Sequence, residues 1–262
     1  MTRSELGRHS LQERITKKNI KYIKYVASKS TSTLVRHALD YEFSQCNNRK
    51  SIFSLFQRHK ERLLLITEDV NSTEDEEQPS LIEMVKSLDN DKIHGLIKNC
   101  FNASWKEQIE TFSKADTFKL FKENVLMEKY LSVIRNRKYR VSLTKLRLSD
   151  HCLMIEQGRH CRPIIPREER FCPHCPNIVE NEEHFLVKCC AYDRTSFFQN
   201  IIEKTPQFSQ LNDHSRYLFL MSQEDPELTN ELALKVHSWL MARLEYNTQN
   251  DDLDQTIPPV VV

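Results

Sequence analysis

The sequence predicts a mostly α-helical protein, with helical bundle-like segments and one small cysteine-rich module. Only 3 glycines and 9 prolines occur in 262 residues, which leaves few obligatory turns for a many-stranded sandwich or barrel. Hydrophobic residues make up 39% of the chain and charged residues 29%. This is enough apolar surface for the cores of one or two small domains, and it excludes a disordered protein.

Three helices are predicted near the start of the chain. Apolar residues recur at spacings of three, four and five over 11–26, as on one face of a helix. Ser32 or Thr33 is placed to cap a second helix, and a third is expected over 51–66. Residues 1–66 contain fourteen Lys or Arg against five Asp or Glu, so we interpret them as a basic helical segment.

The middle of the chain begins with an acidic stretch. Residues 67–80 are nearly devoid of apolar side chains, and we interpret them as a solvated linker. Further helices are predicted over 81–100, 104–112 and 117–135. Residues 81–160 as a whole are interpreted as a second helical segment, which carries a basic block.

The basic block spans residues 129–170, where eleven Lys or Arg face four Asp or Glu. A helix is expected from 138 to about 149, and Gly158 marks a stop. The net charge of the whole chain is only +1, so the charges are segregated along the sequence. Segregated basic blocks are typical of proteins that bind polyanions, although the acidic stretches could equally neutralise them within the fold.

The C-terminal third contains a cysteine-rich module over 161–200, and C-terminal helices over 201–250. Helices are predicted at 192–202 and 226–246. Residues 251–262 are interpreted as a flexible tail.

The chain is expected to stay inside the cell, in the nucleus or the cytoplasm. No apolar run reaches the roughly 18 to 20 residues that span a bilayer, and the first residues lack the apolar core of a secretory signal. Eight cysteines in such a compartment are kept reduced, so closely spaced ones indicate metal binding or catalysis. The isolated Cys46 and Cys100 are better explained as buried small hydrophobes.

Four candidate metal ligands follow the pattern C-x2-C-x8-H-x4-C: Cys172, Cys175, His184 and Cys189. Three thiolates and one imidazole suit tetrahedral Zn²⁺ in a closed structural site. A redox C-x2-C motif is the alternative, but it needs a βαβ context that is absent here. The few apolar residues of this module would make a thin core without the metal, whose binding can contribute roughly 10 kcal/mol of folding free energy in zinc-finger peptides.

Other residues near the motif leave alternatives open. Cys190 could replace Cys189 as the fourth ligand, and His174 is a weaker candidate inside the C-x2-C turn. One of Glu180, Glu182 and Glu183 could accept the second ring proton of the histidine ligand. A second site is conceivable, but its residues lack paired spacing and are better explained as core or surface residues: His151, Cys152, His160 and Cys161.

Three sequence stretches resemble the C-terminal region of non-LTR (LINE-type) retrotransposon reverse transcriptases, which lies after the polymerase core and ends in a CCHC zinc knuckle. They are LRLSDHCLMIEQGRH, IPREERFCPHC and ENEEHFLVKCCAY. The upstream stretches SELGRHSLQERITKKNIKYIKY and ASWKEQIETFSKADTFKLFKENVLMEKYLSVI are also similar to that region, so the resemblance extends to about residue 200. It implies that the zinc ligands are Cys172, Cys175, His184 and Cys189; where many relatives have a non-ligand after the last of these, this chain has Cys190.

The resemblance implies nucleic-acid binding without catalysis. A polymerase needs paired carboxylates for two Mg²⁺ ions, and the aromatic-x-D-D sequence that carries them in this family is absent. No phosphate-binding glycine loop, Ser/His/Asp arrangement or endonuclease signature is found. We therefore expect no independent enzymatic activity, and a chain that is a detached tail or an element-derived host protein.

The partners implied are RNA, DNA or both, with a separate polymerase or another protein as a further possibility and no membrane. The basic block supplies the candidate phosphate contacts, with Tyr139 or Phe171 available to stack on an unpaired base. These contacts are Arg135, Arg137, Lys138, Arg140, Lys145, Arg147, Arg159, Arg162, Arg167 and Arg170. The simpler explanation is a solvated surface whose arginines pair with nearby glutamates.

Two other functions remain open. The chain could be a zinc-stabilised protein-interaction module, in which the acidic segments bind basic partners and the helix that carries Trp239 docks in a groove. It could also be a non-functional fragment of a decayed element.

Overall fold

The computed structural model describes residues 2–8, 11–44 and 89–254. It confirms the mostly α-helical class, because these ranges contain helices and two isolated β-bridges but no strand. None of the helices in these ranges is both long and apolar enough to cross a membrane. The α-helices in these ranges are α1 (Thr2–Glu5), α2 (Leu11–Ala27), α3 (Leu34–Ser44), α4 (Asn90–Thr111), α5 (Tyr130–Val133), α6 (Arg137–Arg147), α7 (Met154–Gln157), α8 (Thr195–Lys204), α9 (Asp213–Met221) and α10 (Pro226–Asp254).

Some sequence-based predictions lie outside the described residues. They are the helix over 51–66, the acidic linker over 67–80, the first part of the helix over 81–100, Cys46, and the tail beyond residue 254. The tail was expected to start at 251, but α10 continues to Asp254.

The chain divides into two compact units. The C-terminal unit comprises residues 1–7 and 109–262, and the N-terminal unit comprises residues 8–108. The boundary falls within α4, which spans the place where the sequence predicted two separate helices over 81–100 and 104–112.

In the N-terminal unit, α2 packs against α3. Of the apolar face predicted for α2, Ile20, Ile23 and Val26 are buried, whereas Leu11 and Ile15 are 62% and 39% exposed. Arg36 on α3 donates from Nη1 to the carbonyl oxygen of Ala27 at 2.9 Å, so the last turn of α2 is tied to the first turn of α3.

The C-terminal unit has one continuous apolar core. It joins α6 and α10 to the cysteine-rich segment and to α8 and α9. Fully buried members include Leu146, Phe185, Phe197 and Val236. Three cysteines of the metal motif belong to the same core, so the cysteine-rich segment is not a separate module.

The prediction of one helix over 117–135 is wrong. The structure has a 3-10 turn at Phe118–Leu120, a non-helical stretch, and the short helix α5. In that stretch the backbone pairs with the start of the chain: Leu6 forms a bridge with Met127, and the Glu128 N–H donates to the Glu5 carbonyl oxygen at 2.9 Å. These long-range bonds replace the local i to i+4 bonds that a helix would need.

Candidate metal centre and basic surface

The side chains selected by the C-x2-C-x8-H-x4-C spacing lie together and are buried. The ligand atoms of Cys172, Cys175, His184 and Cys189 are all within 4.8 Å of one another. In the ranges that the structure describes, no other group of three or more His, Cys, Asp or Glu residues could hold a metal ion. The cluster is thus a candidate metal centre with three sulfur donors and one nitrogen donor.

A tight hairpin positions the first two cysteines. Phe171 and Val179 form an antiparallel bridge, and the Cys172 N–H donates to the Ile178 carbonyl oxygen at 2.7 Å. Asn177 turns the chain with a φ of 60°, a left-handed conformation that asparagine adopts more readily than most residues. The hairpin holds both thiols on the side that faces the core.

A π-helical turn positions the other two ligands. Residues His184–Lys188 form this turn, and the Cys189 N–H donates to the His184 carbonyl oxygen at 2.8 Å. In an α-helix, residues five apart would lie about 140° apart around the axis. The wider turn brings them to the same side, so that an x4 spacing allows both side chains to reach one ion.

Arg194 is a residue of the site that sequence patterns did not identify. Its guanidinium is buried and donates to four carbonyl oxygens around the end of the π-helical turn, those of Phe185, Leu186, Cys189 and Tyr192. It also lies 5.0 Å from the centre of the Trp239 ring. The arginine therefore fixes the loop that carries Cys189 and places a positive charge beside the thiols.

The titration behaviour of the cluster is explained by its burial. Burial raises the pKa of the Cys172 thiol, and raises the pKa of Cys189 to about 12. Burial also acts to raise the pKa of Cys175, but hydrogen bonds from the Cys190 N–H and neighbouring thiols outweigh it and hold that pKa below its usual value. Burial lowers the pKa of the His184 imidazole, so the ring stays neutral and its nitrogen lone pair is available to a metal.

Cys190 and His174 lie outside the group of four donors. The Cys190 side chain is exposed; its backbone N–H donates to Cys175 Sγ at 3.4 Å, and its own thiol donates to the His174 carbonyl oxygen. The His174 ring packs edge-on against Tyr246, with 4.5 Å between ring centres. Both residues thus support the hairpin rather than extend the donor set.

The three glutamates before His184 have other partners. Glu180 pairs with Arg243, Glu182 with His151, and Glu183 with His214 and Lys188. Neither ring nitrogen of His184 has a hydrogen-bond partner, although both are buried. None of the three glutamates thus accepts the second ring proton, the possibility that the sequence left open, and the ring nitrogens are available to a metal.

The structure does not assemble a second metal site from the remaining candidates. His151 bonds to Glu182 at 3.0 Å, and the Cys161 thiol donates to the Gln157 carbonyl oxygen. His160 is exposed and Cys152 is half-buried. The interpretation of these residues as core and surface residues fits their positions, and Cys100 is likewise half-buried rather than fully buried.

Two arginines of the basic block are used inside the fold. Arg147 is 3% exposed and binds Glu5, Glu128 and the Met221 carbonyl oxygen. Arg170 is 7% exposed and donates to the Ile155 and Ile165 carbonyl oxygens. Their guanidinium groups are not available to a phosphate. The sequence-based assignment of Arg147 and Arg170 as candidate phosphate contacts is therefore wrong.

Three more arginines of the block are partly engaged. Arg159 pairs with Glu156 and bonds to Ser113, Arg167 pairs with Asp116, and Arg140 donates to the Ile134 carbonyl oxygen. The exposed members among the ten candidate phosphate contacts are Arg135, Arg137, Lys138, Lys145, Arg162 and Arg167. Of the two candidate stacking residues, Phe171 is 40% exposed, whereas Tyr139 is half-buried against the His237 ring.

A groove of about 880 Å³ lies between α6 and the C-terminal half of α10. Arg137, Lys138 and Lys145 line it together with partly exposed apolar side chains of both helices, Val141, Met241 and Leu244. No carboxylate among the described residues pairs with these three cations. The groove thus combines an apolar floor with an edge of three cations, and its lining also includes one carboxylate, that of Asp150.

No family model, curated protein or solved structure matches the chain.

Proposed function

We propose that this chain is a zinc-stabilised nucleic-acid-binding protein, related to the post-polymerase C-terminal region of LINE-type reverse transcriptases and lacking a polymerase core. The observation that carries the proposal is the presence, in one compact unit, of a buried Cys3His cluster and a groove edged by exposed cations. The cluster supplies a reason for the cysteine spacing, and the groove supplies a surface for phosphates.

The distances between the thiols support zinc. A tetrahedral ion with bonds to sulfur of about 2.3 Å places its sulfur ligands about 3.8 Å apart. Cys189 Sγ lies 3.7 Å from Cys172 Sγ and 4.0 Å from Cys175 Sγ. Three thiolates and an imidazole disfavour Mg²⁺ and Ca²⁺, which prefer oxygen. Because four protein ligands fill the coordination sphere, the metal has a structural role.

The charge distribution on α6 supports an anionic partner. Arg137 and Lys138 occupy the first turn of the helix, where the macrodipole is positive and each basic side chain is unfavourable by about 0.3 to 1 kcal/mol. A phosphate at this end would offset that cost, and a further phosphate of the same strand would contact Lys145, which lies about two turns along the helix and lines the same groove. Such contacts provide affinity without sequence specificity.

A salt titration tests this function. The full-length zinc-loaded protein is titrated against labelled RNA and DNA, single-stranded and duplex, at 50 to 300 mM salt. We expect affinity to fall with salt, and the Lys138→Gln/Lys145→Gln variant to reduce the slope of log K against log salt by about 1.4 to 1.8. Lys129→Gln/Lys204→Gln removes the same charge from exposed ion pairs elsewhere in the unit and should leave the slope unchanged. Absence of binding at 50 mM salt contradicts the proposal.

The apolar floor of the groove favours a second candidate function, a zinc-stabilised protein-interaction module. Met241 and Leu244 are 39% and 43% exposed, and an amphipathic helix with acidic flanks would cover both the floor and the edge. A protein recovered by the wild type but lost with Leu244→Asp, together with no nucleic-acid binding, supports this candidate instead.

A further inference from the structure

One face of α2 carries a row of basic and aromatic side chains. Arg14, Lys18, Lys21, Tyr22 and Tyr25 fall within about 100° of one another around the helix axis, at the 3.6-residue period. All five are exposed, with Tyr22 at 52% and Tyr25 at 58%. We call these five residues the α2 basic face.

The core of the N-terminal unit does not explain the α2 basic face. The buried residues of α2, including Ile20, Ile23 and Val26, occupy the opposite side of the helix. The two tyrosine rings on the basic face therefore add little to the packing of this unit, although each leaves a large aromatic surface in water.

Among the residues that the structure describes, the three cations of this face have no ion-pair partner. Lys17, at the border of the face, pairs with the buried Glu13 at 2.6 Å. In contrast, no carboxylate among the described residues pairs with Arg14, Lys18 or Lys21. Lys29 lies one turn after Tyr25 and places its Nζ 4.4 Å from the centre of that ring, which adds a further cation beside the aromatic surface.

We propose that the α2 basic face binds a segment of single-stranded nucleic acid, as a second contact surface distinct from the α6–α10 groove. This inference rests on the proposed function only for the class of ligand, which is nucleic acid. Cations at positions 14, 18 and 21 contact successive phosphates, and the rings of Tyr22 and Tyr25 stack on unpaired bases. This combination of a charged track and exposed aromatic rings is what single-stranded nucleic acid requires.

The tyrosines distinguish a single strand from a duplex. Bases in a duplex are already stacked and paired, so an exposed tyrosine contacts only the edge of the helix, whereas an unpaired base offers its whole face. An acidic protein would use the cations but has no comparable need for two aromatic rings. The α2 basic face is therefore suited to unpaired bases rather than to a duplex.

The test uses the full-length zinc-loaded protein and 5′-labelled 12-nucleotide RNA and DNA, single-stranded and as duplexes, by fluorescence anisotropy. We expect Lys18→Gln/Lys21→Gln to weaken single-strand binding about 10- to 30-fold at 100 mM salt. Lys92→Gln/Lys106→Gln removes the same charge from exposed positions on α4 and should retain the wild-type affinity. Equal losses in the two variants overturn the proposal.

The aromatic contribution has its own pair of variants. Tyr22→Ala/Tyr25→Ala should weaken single-strand binding about fivefold or more and leave duplex binding unchanged, whereas Tyr22→Phe/Tyr25→Phe keeps the rings and should stay within about twofold of the wild type. Unchanged single-strand affinity after the alanine substitutions overturns the proposal. Binding of a polyglutamate peptide that depends on Lys18 and Lys21, in place of nucleic acid, also overturns it.

The outcomes separate this surface from the groove. If the α2 variants lose affinity and Lys138→Gln/Lys145→Gln does not, the groove is not the binding site and the α2 basic face stands. If only Lys138→Gln/Lys145→Gln loses affinity, the proposed function survives and the α2 inference fails. Circular dichroism confirms that each variant retains its helices.

Discussion

The carboxylate of Glu180 accepts two hydrogen bonds from the guanidinium of Arg243, at 2.7 Å from Nε and 3.0 Å from Nη2. Both side chains are buried, with exposures of 1% and 2%. Glu180 also accepts the Met154 N–H at 2.7 Å, and it lies directly after the hairpin that carries Cys172 and Cys175. The pair therefore fastens the candidate metal-binding segment to α7 and α10.

Arg243→Met should be strongly destabilising. It leaves the Glu180 carboxylate buried without its counter-charge, a change that usually lowers the free energy of unfolding by about 3 to 5 kcal/mol. The double variant Glu180→Gln/Arg243→Met removes both charges and should recover part of the loss. Urea unfolding of the two variants and the wild type measures this. A loss below about 1 kcal/mol for Arg243→Met would mean that the pair contributes little.

The segment that carries the candidate metal ligands shares its core with the rest of the C-terminal unit. Phe185 in the π-helical turn packs edge-on against Trp239 of α10, with 6.3 Å between ring centres, and Tyr192 stacks on the same indole at 5.6 Å. A change in the turn is thus transmitted to α10. Loss of the metal should destabilise the whole unit, and not only residues 170–200 as a separate module would suggest.

Chelation should lower the unfolding temperature of the C-terminal unit. If the metal contributes about 5 kcal/mol, less than in isolated zinc-finger peptides because this segment has a core of its own, the midpoint should fall by about 10 to 20 °C. Differential scanning calorimetry with and without a chelator measures the shift, and re-addition of Zn²⁺ should restore the original curve. An unchanged curve with a chelator that removes all zinc would contradict a structural role.

Patterns within a short stretch of sequence predicted much of this molecule. Periodic apolar residues located α2, which begins at Leu11 as predicted and ends one residue beyond the predicted range. The cysteine spacing selected residues that the structure brings together, because a hairpin and a single turn are built from neighbouring residues. Local chemistry is sufficient where both partners of an interaction lie close in sequence.

Interactions across long sequence distances could not be predicted in this way. Arg147 and Lys145 are both cations at the C-terminal end of α6, yet Arg147 is buried against Glu5, 142 residues away, while Lys145 is exposed. Nothing in the adjacent sequence distinguishes them. The bridge between Leu6 and Met127, in the stretch where a helix over 117–135 was expected, likewise joins residues that lie far apart in the sequence.

Alanine substitutions at two glycines should have opposite effects. A Cβ at Gly158 would lie 2.8 Å from Cδ, Cγ and Nε of Arg170, whose guanidinium is held by two carbonyl oxygens and cannot move away easily. Gly158→Ala should therefore lower the free energy of unfolding by about 1 to 3 kcal/mol. At Gly95, inside α4, nothing lies within 4 Å of the added Cβ, so Gly95→Ala should raise the stability of its unit by up to about 1 kcal/mol. Urea unfolding compares the two, and stabilisation by Gly158→Ala would show that Arg170 is free to rearrange.

The adjacent cysteines at the end of the motif should differ sharply in their contribution to metal binding. Cys189 is 1% exposed and its sulfur lies within the group of four donors. The thiol of Cys190 is exposed and lies 3.4 Å from Cys175 Sγ, but it is outside the group of four donors. The backbone N–H of Cys190 also donates to Cys175 Sγ, and any residue except proline supplies that bond. We therefore expect Cys190→Ser to retain one zinc ion per chain and Cys189→Ser to lose it, as measured by native mass spectrometry with elemental analysis of the purified proteins.

Cys161→Ser serves as a control for the removal of a thiol outside the cluster. Loss of zinc from Cys190→Ser with retention in Cys189→Ser would assign the fourth ligand to Cys190, and retention in both would mean that either sulfur can complete the tetrahedron.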